Sequence, residues 1–299
     1  MEAELAGAYC APRHDDVRGA FEEGFFARLV PWLLERSGGG GALLDLGCAD
    51  GLAGRLAGPG LARYLGVDFR SPGPSLPGEH LRHDLRNGLG DVGAPPFDVY
   101  LATFGVASHL RPAQLRRLVE EIAAHARPGS LVALEALGAH SLEWPLLWRT
   151  RPGPARGLPY RLGSEVEVHP WRPRELARIY TDAGIRPLHA LDRSVQAGPK
   201  AGEGRYWPGL PPLRRALHAL LAGGTDDVLD EARAALAAPL GPLPAGPAAS
   251  FHHALADRRR ALIDAHRADA TALARSIWAL EPRSGGGFGH GLVLIGRVA

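Results

Sequence analysis

Three aspartates, each closing or ending a short apolar run, are the residues best placed to do chemistry. They are Asp45 in "ALLDLG", Asp68 in "RYLGVDF" and Asp84 in "LRHDL". After Asp45 comes a turn, Gly47-Cys48-Ala49-Asp50-Gly51, whose two glycines have no Cβ to keep a ligand from the backbone. In a parallel sheet, ligands bind beyond the carboxyl ends of the strands, so this turn is the place to look. The G-x-G-x-x-G spacing of a dinucleotide fold is missing, and so is the lysine of a phosphate loop. A carboxylate two residues ahead of the first glycine welcomes a cation and repels a pyrophosphate. Asp68 follows at close to the ~20-residue offset at which dinucleotide folds carry their ribose-binding acid. Asp84, at the end of the third run, is placed to accept from an adenine amino group. Together the three describe a site for an adenosine bearing positive charge.

The elements that must hold these acids can be read from hydrophobic period. Phe21, Phe25, Leu29, Trp32 and Leu33 recur at helical spacing ahead of a four-glycine linker, Gly38–Gly41, with Pro31 expected to kink or interrupt the helix. From there to about residue 137, short apolar runs alternate with helical stretches, which predicts an α/β domain with a mostly parallel sheet. The helix over 112–126 carries the stripe Leu115, Leu118, Val119 and Ile122 and is stopped by "RPG". Residues 138–172, rich in Trp, Arg and Pro, read as an irregular excursion. A helix (172–184) and a strand (185–195) follow, and 289–299 is a further strand. Between these strands, helices are expected at 211–222, at 225–238 with Thr225 as N-cap, and at 250–281 with Ser250 as N-cap. The stripe Phe251, Leu255, Leu262, His266, Leu273, Ile277 and Leu280 is expected to pack on the rest of the chain, a homodimer seam being the second use.

At this point the chain resembles the class I S-adenosylmethionine-dependent methyltransferases, in a small-molecule methyltransferase-like form. "LLDLGCADG", "YLGVDF", "HDL", "PFDVYLATFGVASHL", "RPGSLVALEALG" and "HPWRPRELARIYTDAGIRPL" are similar to that family's successive motifs, in order, over about 40–137, 170–196 and 289–299. Ala49 departs from the usual middle glycine. The resemblance implies a Rossmann-like fold: a mostly parallel seven-stranded sheet with helices on both faces, plus a helical insertion before the last strand. The domain organisation it implies is an N-terminal helical cap (1–41), a cofactor-binding core (42–196), an insertion or lid (197–288) and a final core strand (289–299). The cofactor implied is S-adenosylmethionine, leaving as S-adenosylhomocysteine. Gly47, Cys48, Ala49 and Gly51 would line its methionine moiety, with Asp45 near the amino group. Asp68 would take the ribose hydroxyls with Phe69 beside the adenine, Asp84 and Leu85 would hold the adenine edge, and Thr103 and Phe104 would sit near the sulfonium.

Methyl transfer is an in-line displacement, in which orientation supplies roughly 7–11 kcal/mol and a base about 10²–10⁴-fold. His109, just past the fourth strand, is the first candidate base, followed by Glu135, His140, Glu143 and His169. Trp144, Trp148, Tyr160 and Trp171, interleaved with Arg149, Arg151, Arg156 and Arg161, would line a pocket for an aromatic or anionic small molecule. Tyr9, Arg13 and His14 are candidates for a lid. His252 and His253 are adjacent rather than four apart, so no metal site is expected. The expected activity is O- before N-methylation of a specialised metabolite. The alternatives are methylation of a peptide or protein side chain and a non-catalytic cofactor-binding partner subunit.

Composition bounds these readings. The chain has 299 residues, 45% of them hydrophobic and 22% charged, as a globular protein requires. A net charge of +2 is too small to suggest nucleic acid, and no apolar run approaches the ~20 residues of a membrane helix. Acids near the N-terminus and only two cysteines, Cys10 and Cys48, predict a cytoplasmic protein without a disulfide framework.

Overall fold

The computed structural model describes residues 17–71, 77–93, 95–149, 157–162, 164–198 and 210–299. Nine strands are assigned among these residues: β1 (Ala42–Leu46), β2 (Arg63–Asp68), β3 (Glu79–Arg82), β4 (Val99–Ala102), β5 (Leu131–Leu137), β6 (Leu158–Leu162), β7 (Ser164–Val168), β8 (Ile185–Arg193) and β9 (Gly291–Val298). Seven form one sheet in the order β3-β2-β1-β4-β5-β9-β8. The first five are parallel, and β9 runs antiparallel to both β5 and β8. This is the mostly parallel Rossmann-like sheet that the methyltransferase resemblance implies.

Side chains alternate across each strand, so the sheet has two apolar faces to cover. Tyr100 and Ala102 of β4 face one core with Leu115 and Leu118 of α3 (Pro112–His125) and Leu176 of α4 (Pro173–Asp182). Val99 and Leu101 face the other, with Phe26, Leu29 and Leu33 of α1 (Gly24–Ser37) and Ala53 of α2 (Leu52–Ala57). A third core belongs to four helices between β8 and β9: α5 (Leu213–Ala222), α6 (Asp226–Ala237), α7 (Pro247–Ala265) and α8 (Ala270–Ala279). Leu217, Leu236, Leu273 and Ile277 pack there with Val17 and Phe21. The apolar stripe of the insertion is thus largely used within the chain. Among the described residues, no helix is long and apolar enough to cross a membrane.

Several local expectations need correction. Pro31 lies inside α1, which continues to Ser37; the irregularity falls earlier, in a π-helical turn over Arg18–Glu23. The helix expected over 250–281 is two helices. Ser250 lies inside α7, bonding back to Gly246 O at 3.3 Å, while Asp269 caps α8 by accepting from Ala272 N. Thr225 holds the N-cap position of α6 without a side-chain bond. The irregular excursion contains an antiparallel hairpin, β6–β7. β3 ends at Arg82, so Asp84 does not close that strand; it caps a short 3₁₀ turn over Leu85–Asn87.

Candidate functional site

The glycine turn is built by its neighbours across the sheet. Gly47 N and Cys48 N both donate to Val67 O, at 2.7 and 3.2 Å, which folds the turn back over the end of β2. Gly47, Ala49 and Gly51 all have positive φ (73°, 46° and 75°), a conformation that costs most residues roughly 1–2 kcal/mol. A Cβ on Gly47 would come within 2.6 Å of Val106 Cγ2, so the glycine makes room for the loop after β4 as well as for a ligand. Cys48 is buried, and burial beside Asp45 and Asp68 pushes its thiol upward, so it is inert.

Asp45 and Asp68 differ in their partners. Asp68 accepts from Ala49 N through Oδ2 and from Arg70 N through Oδ1, both at 3.1 Å, which ties the turn to the end of β2 and leaves further lone pairs. Asp45 is 1% exposed; its Oδ2 accepts from the Tyr64 hydroxyl at 2.8 Å, while Oδ1 has no partner among the described residues. Burial raises its pKa to about 7, against the lowering effect of Tyr64 and with the repulsion of Asp68 and Asp50. A buried carboxylate oxygen without a donor is a place for an ammonium or hydroxyl from outside the chain.

That shift carries a stability consequence. The folded state keeps Asp45 protonated up to about pH 7, whereas the unfolded chain releases that proton near 3.8. The folded state therefore binds more protons in this window, and the contribution of Asp45 to stability falls as pH rises through it. Asp45→Asn is expected to gain on the parent, in urea midpoint, progressively from pH 4 to 7, with the difference levelling off above. A difference independent of pH would remove the shifted carboxyl.

Of the adenine-side residues, Phe69 is 38% exposed at the rim and Leu85 is buried. Asp84 is gripped by the Arg86 guanidinium, with Nε at 3.0 and 2.9 Å and Nη2 at 2.6 Å. That bond holds its carboxyl below the usual range. Thr103 is buried at the end of β4. Phe104 follows at φ 53°, with the Phe26 ring 5.1 Å away and the guanidinium carbons of Arg18 and Arg193 within 5.2 and 5.4 Å of its centroid.

Three of the five candidate bases, Glu135, His140 and His109, meet different fates. Glu135 is held in an ion pair: its buried carboxylate takes Arg193 Nε at 2.6 Å on one oxygen and Gly105 N at 3.2 Å on the other. His140 is a peg, with Nδ1 2.8 Å from Gly286 O and its own carbonyl accepting from His252. His109 is half-buried, and desolvation, helped by His169, pushes it down to about 4. It is neutral at physiological pH and a weak acceptor of protons.

Of the four aromatics expected to line an acceptor pocket, three are buried. Trp144 and Tyr160 pack together at 5.6 Å with Val168, and Trp171 belongs to the sheet core. Trp148 is partly exposed and stacks on His252 at 5.4 Å. Arg149 closes a 3₁₀ turn over Pro145–Arg149. Tyr9, Arg13, His14, Arg151 and Arg156 lie outside the described residues, as does the side chain of Arg161. Among the described residues, no group of three His, Cys, Asp or Glu could hold a metal ion.

What sequence reasoning missed are partners far apart in the chain. Arg193 is the buried partner of both Glu135 and Glu22, and Arg214 reaches Glu22 at 3.0 Å. Glu143 was among the candidates, but its partner His290 was not.

No family model matches the sequence, and no curated protein matches it. Similar solved structures include an S-adenosylmethionine-dependent methyltransferase from Clostridium acetobutylicum, at 12% identity over 64% of this chain and 89% of that one, with a TM-score of 0.46. Another is the Burkholderia thailandensis 1,6-didemethyltoxoflavin-N1-methyltransferase, at 19% identity over 63% and 80%, with a TM-score of 0.42. A third comes from the complex between the Haloferax volcanii Trm112 methyltransferase activator and a chain described as a methyltransferase. It shows 14% identity over 99% and 96%, with a TM-score of 0.49.

Proposed function

We propose that this chain transfers a methyl group from S-adenosylmethionine to a small-molecule acceptor, at oxygen before nitrogen, in specialised metabolism. The observation that carries the reading is Asp45 Oδ1, a buried carboxylate oxygen without a donor at the glycine turn. It fits the ammonium of the methionine moiety, and Asp68 beside it keeps lone pairs for the ribose hydroxyls. Gly47, Ala49 and Gly51 would follow the methionine chain, Phe69 would lie against the adenine, and Thr103 and Phe104 would face the sulfonium. Asp84 could take the adenine amino group only by sharing with Arg86. When bound, the cofactor supplies an electrophilic methyl carbon. The protein's task is to orient an acceptor and exclude water.

A small acceptor is favoured over a side chain on another protein because Phe104 is roofed by Arg18 and Phe26. A residue covered in this way suits a ligand that enters whole.

Thermal unfolding with S-adenosylhomocysteine tests the reading. A ligand at 100 times its Kd adds about 2.7 kcal/mol, so a clear rise in Tm is expected with millimolar ligand. NADH is expected to give none. No shift with S-adenosylhomocysteine, or a shift with NADH alone, would sink the methyltransferase reading.

A further inference from the structure

Asp45 stands on a face of the sheet that offers it weak acids and carboxylates but no cation. In register, Asp45 of β1 pairs with Gly66 of β2, which pairs with His80 of β3. Gly66 leaves room between them, and a Cβ there would meet Cys48 Sγ at 2.7 Å and the Tyr64 hydroxyl at 3.1 Å. The space beside the carboxyl is therefore filled by a thiol and a phenol. The phenol donates to Oδ2 at 2.8 Å, and Oδ1 has no partner among the described residues.

The charged groups nearby do not supply a counterion. Asp68, at the end of β2, and Asp50, in the turn, repel the ionised form. Arg55 of α2 is turned to Asp50, bonding its carbonyl and, at 2.8 Å, its carboxylate. Arg82, which ends β3, donates to Phe69 O at 3.2 Å, and the Arg70 guanidinium lies over the Phe69 ring at 5.2 Å. Burial pushes His80 down against the pull of Asp68, so it is neutral at neutral pH. On the other side stands Leu101 of β4, the register partner of Asp45. Leu43, two residues before Asp45 on the same face, belongs to the apolar core under α1.

A buried carboxylate needs a counterion or several donors, and one phenolic hydroxyl is too little. Asp45 therefore rests as the neutral acid up to about pH 7. An ammonium at Oδ1 brings the missing charge together with up to three N–H donors. With that partner in place the ionised form is favoured, and the carboxyl proton has to leave.

Resting on the methyltransferase reading, we propose that the methionine ammonium of the cofactor displaces the proton of Asp45, one proton leaving to solvent for each cofactor bound. The exchange balances: a carboxylic acid and an ammonium ligand become a carboxylate–ammonium pair and one solvated proton. Binding is thereby coupled to pH. The free protein holds the extra proton and the complex does not, so raising the pH through this window favours the complex. Each unit of acidification lowers affinity by up to about tenfold, and the dependence levels off once the free carboxyl has ionised. A cofactor fragment without the ammonium, such as 5′-methylthioadenosine, leaves the proton on Asp45 and carries no such coupling.

Titration calorimetry with S-adenosylhomocysteine, in buffers of different ionisation enthalpy, counts the protons directly. About one proton is expected to be released per ligand at about pH 5.5, falling below about one half by about pH 8. Between about pH 5.5 and 7 the Kd is expected to fall by roughly tenfold or more. In difference infrared spectra at the lower pH, the ligand is expected to remove the carbonyl band of a protonated carboxyl. That loss is expected to be absent from Asp45→Asn. Tyr64→Phe keeps the carboxyl but removes its one donor, so its release profile is expected to move to higher pH. Release of less than about half a proton at about pH 5.5 overturns the proposal. So does a band loss that persists in Asp45→Asn or never occurs in the parent, and so does an unmoved profile in Tyr64→Phe. Failure of the parent to bind S-adenosylhomocysteine at any pH is the separate result that removes the methyltransferase reading itself.

Discussion

Arg193→Met is expected to destabilise the fold by about 3–5 kcal/mol, read as a fall in the urea midpoint at neutral pH. Arg193 is 1% exposed and bonds Glu135 at 2.6 Å, Ser194 Oγ at 2.9 Å and, less closely, Glu22 at 3.4 Å. Both carboxylates are 0% exposed. Removing the guanidinium leaves Glu135 to the neutral Gly105 amide and takes from Glu22 one of its cationic partners, Arg214 remaining. The cost is that of buried charge without its counterion, not of the lost contacts alone. Adding Glu135→Gln to the variant is therefore expected to recover part of the loss. A deficit below about 1 kcal/mol, or no recovery in the double variant, would show that the carboxylates are hydrated or protonated instead.

The second large effect is on the cofactor. Asp68→Ala is expected to weaken S-adenosylhomocysteine by roughly 100-fold or more, because hydrogen bonds to a charged group contribute about 1.5–3 kcal/mol each and two hydroxyls are at stake. The same change releases Ala49 N and Arg70 N, so the turn loses its anchor to β2 as well. Titration calorimetry separates the two causes: Asp68→Asn keeps a side chain that can accept from one amide but removes the charge. Affinity in Asp68→Ala within about threefold of the parent would remove Asp68 from the ribose role.

What could be read beforehand follows from how far information travels along the chain. Strands β1, β2 and β5 announce themselves as apolar runs, and the acids at 45 and 68 sit where those runs end, so the proposed cofactor side is legible within a few residues. The acceptor side is not. Glu135 looks like a free carboxylate until Arg193, 58 positions away, is folded against it. His290 gains its character from Glu143, 147 positions earlier. The tryptophans misled for a related reason: composition locates aromatics in a segment but cannot say which way they point, and Trp144 and Trp171 point inward. The break between α7 and α8 was visible as Asp269 ahead of an alanine-rich start. The apolar stripe continues on both sides of it and masks the boundary.

The sheet order also governs how the chain can assemble. β9 lies between β5 and β8, and Arg193, where β8 ends, is the register partner of Gly291, where β9 begins. The pair is thus a hairpin whose turn has been replaced by the whole stretch from Ser194 to His290. As a flexible loop that stretch would add about 0.6 kcal/mol of closure entropy for each doubling beyond an ordinary turn, roughly 2–3 kcal/mol in all. Helices α5 to α8, folded on their own core, would return the chain to its starting point and remove most of that cost. If the insertion folds before β9 pairs, β5 and β8 hold open edges until that strand slots between them.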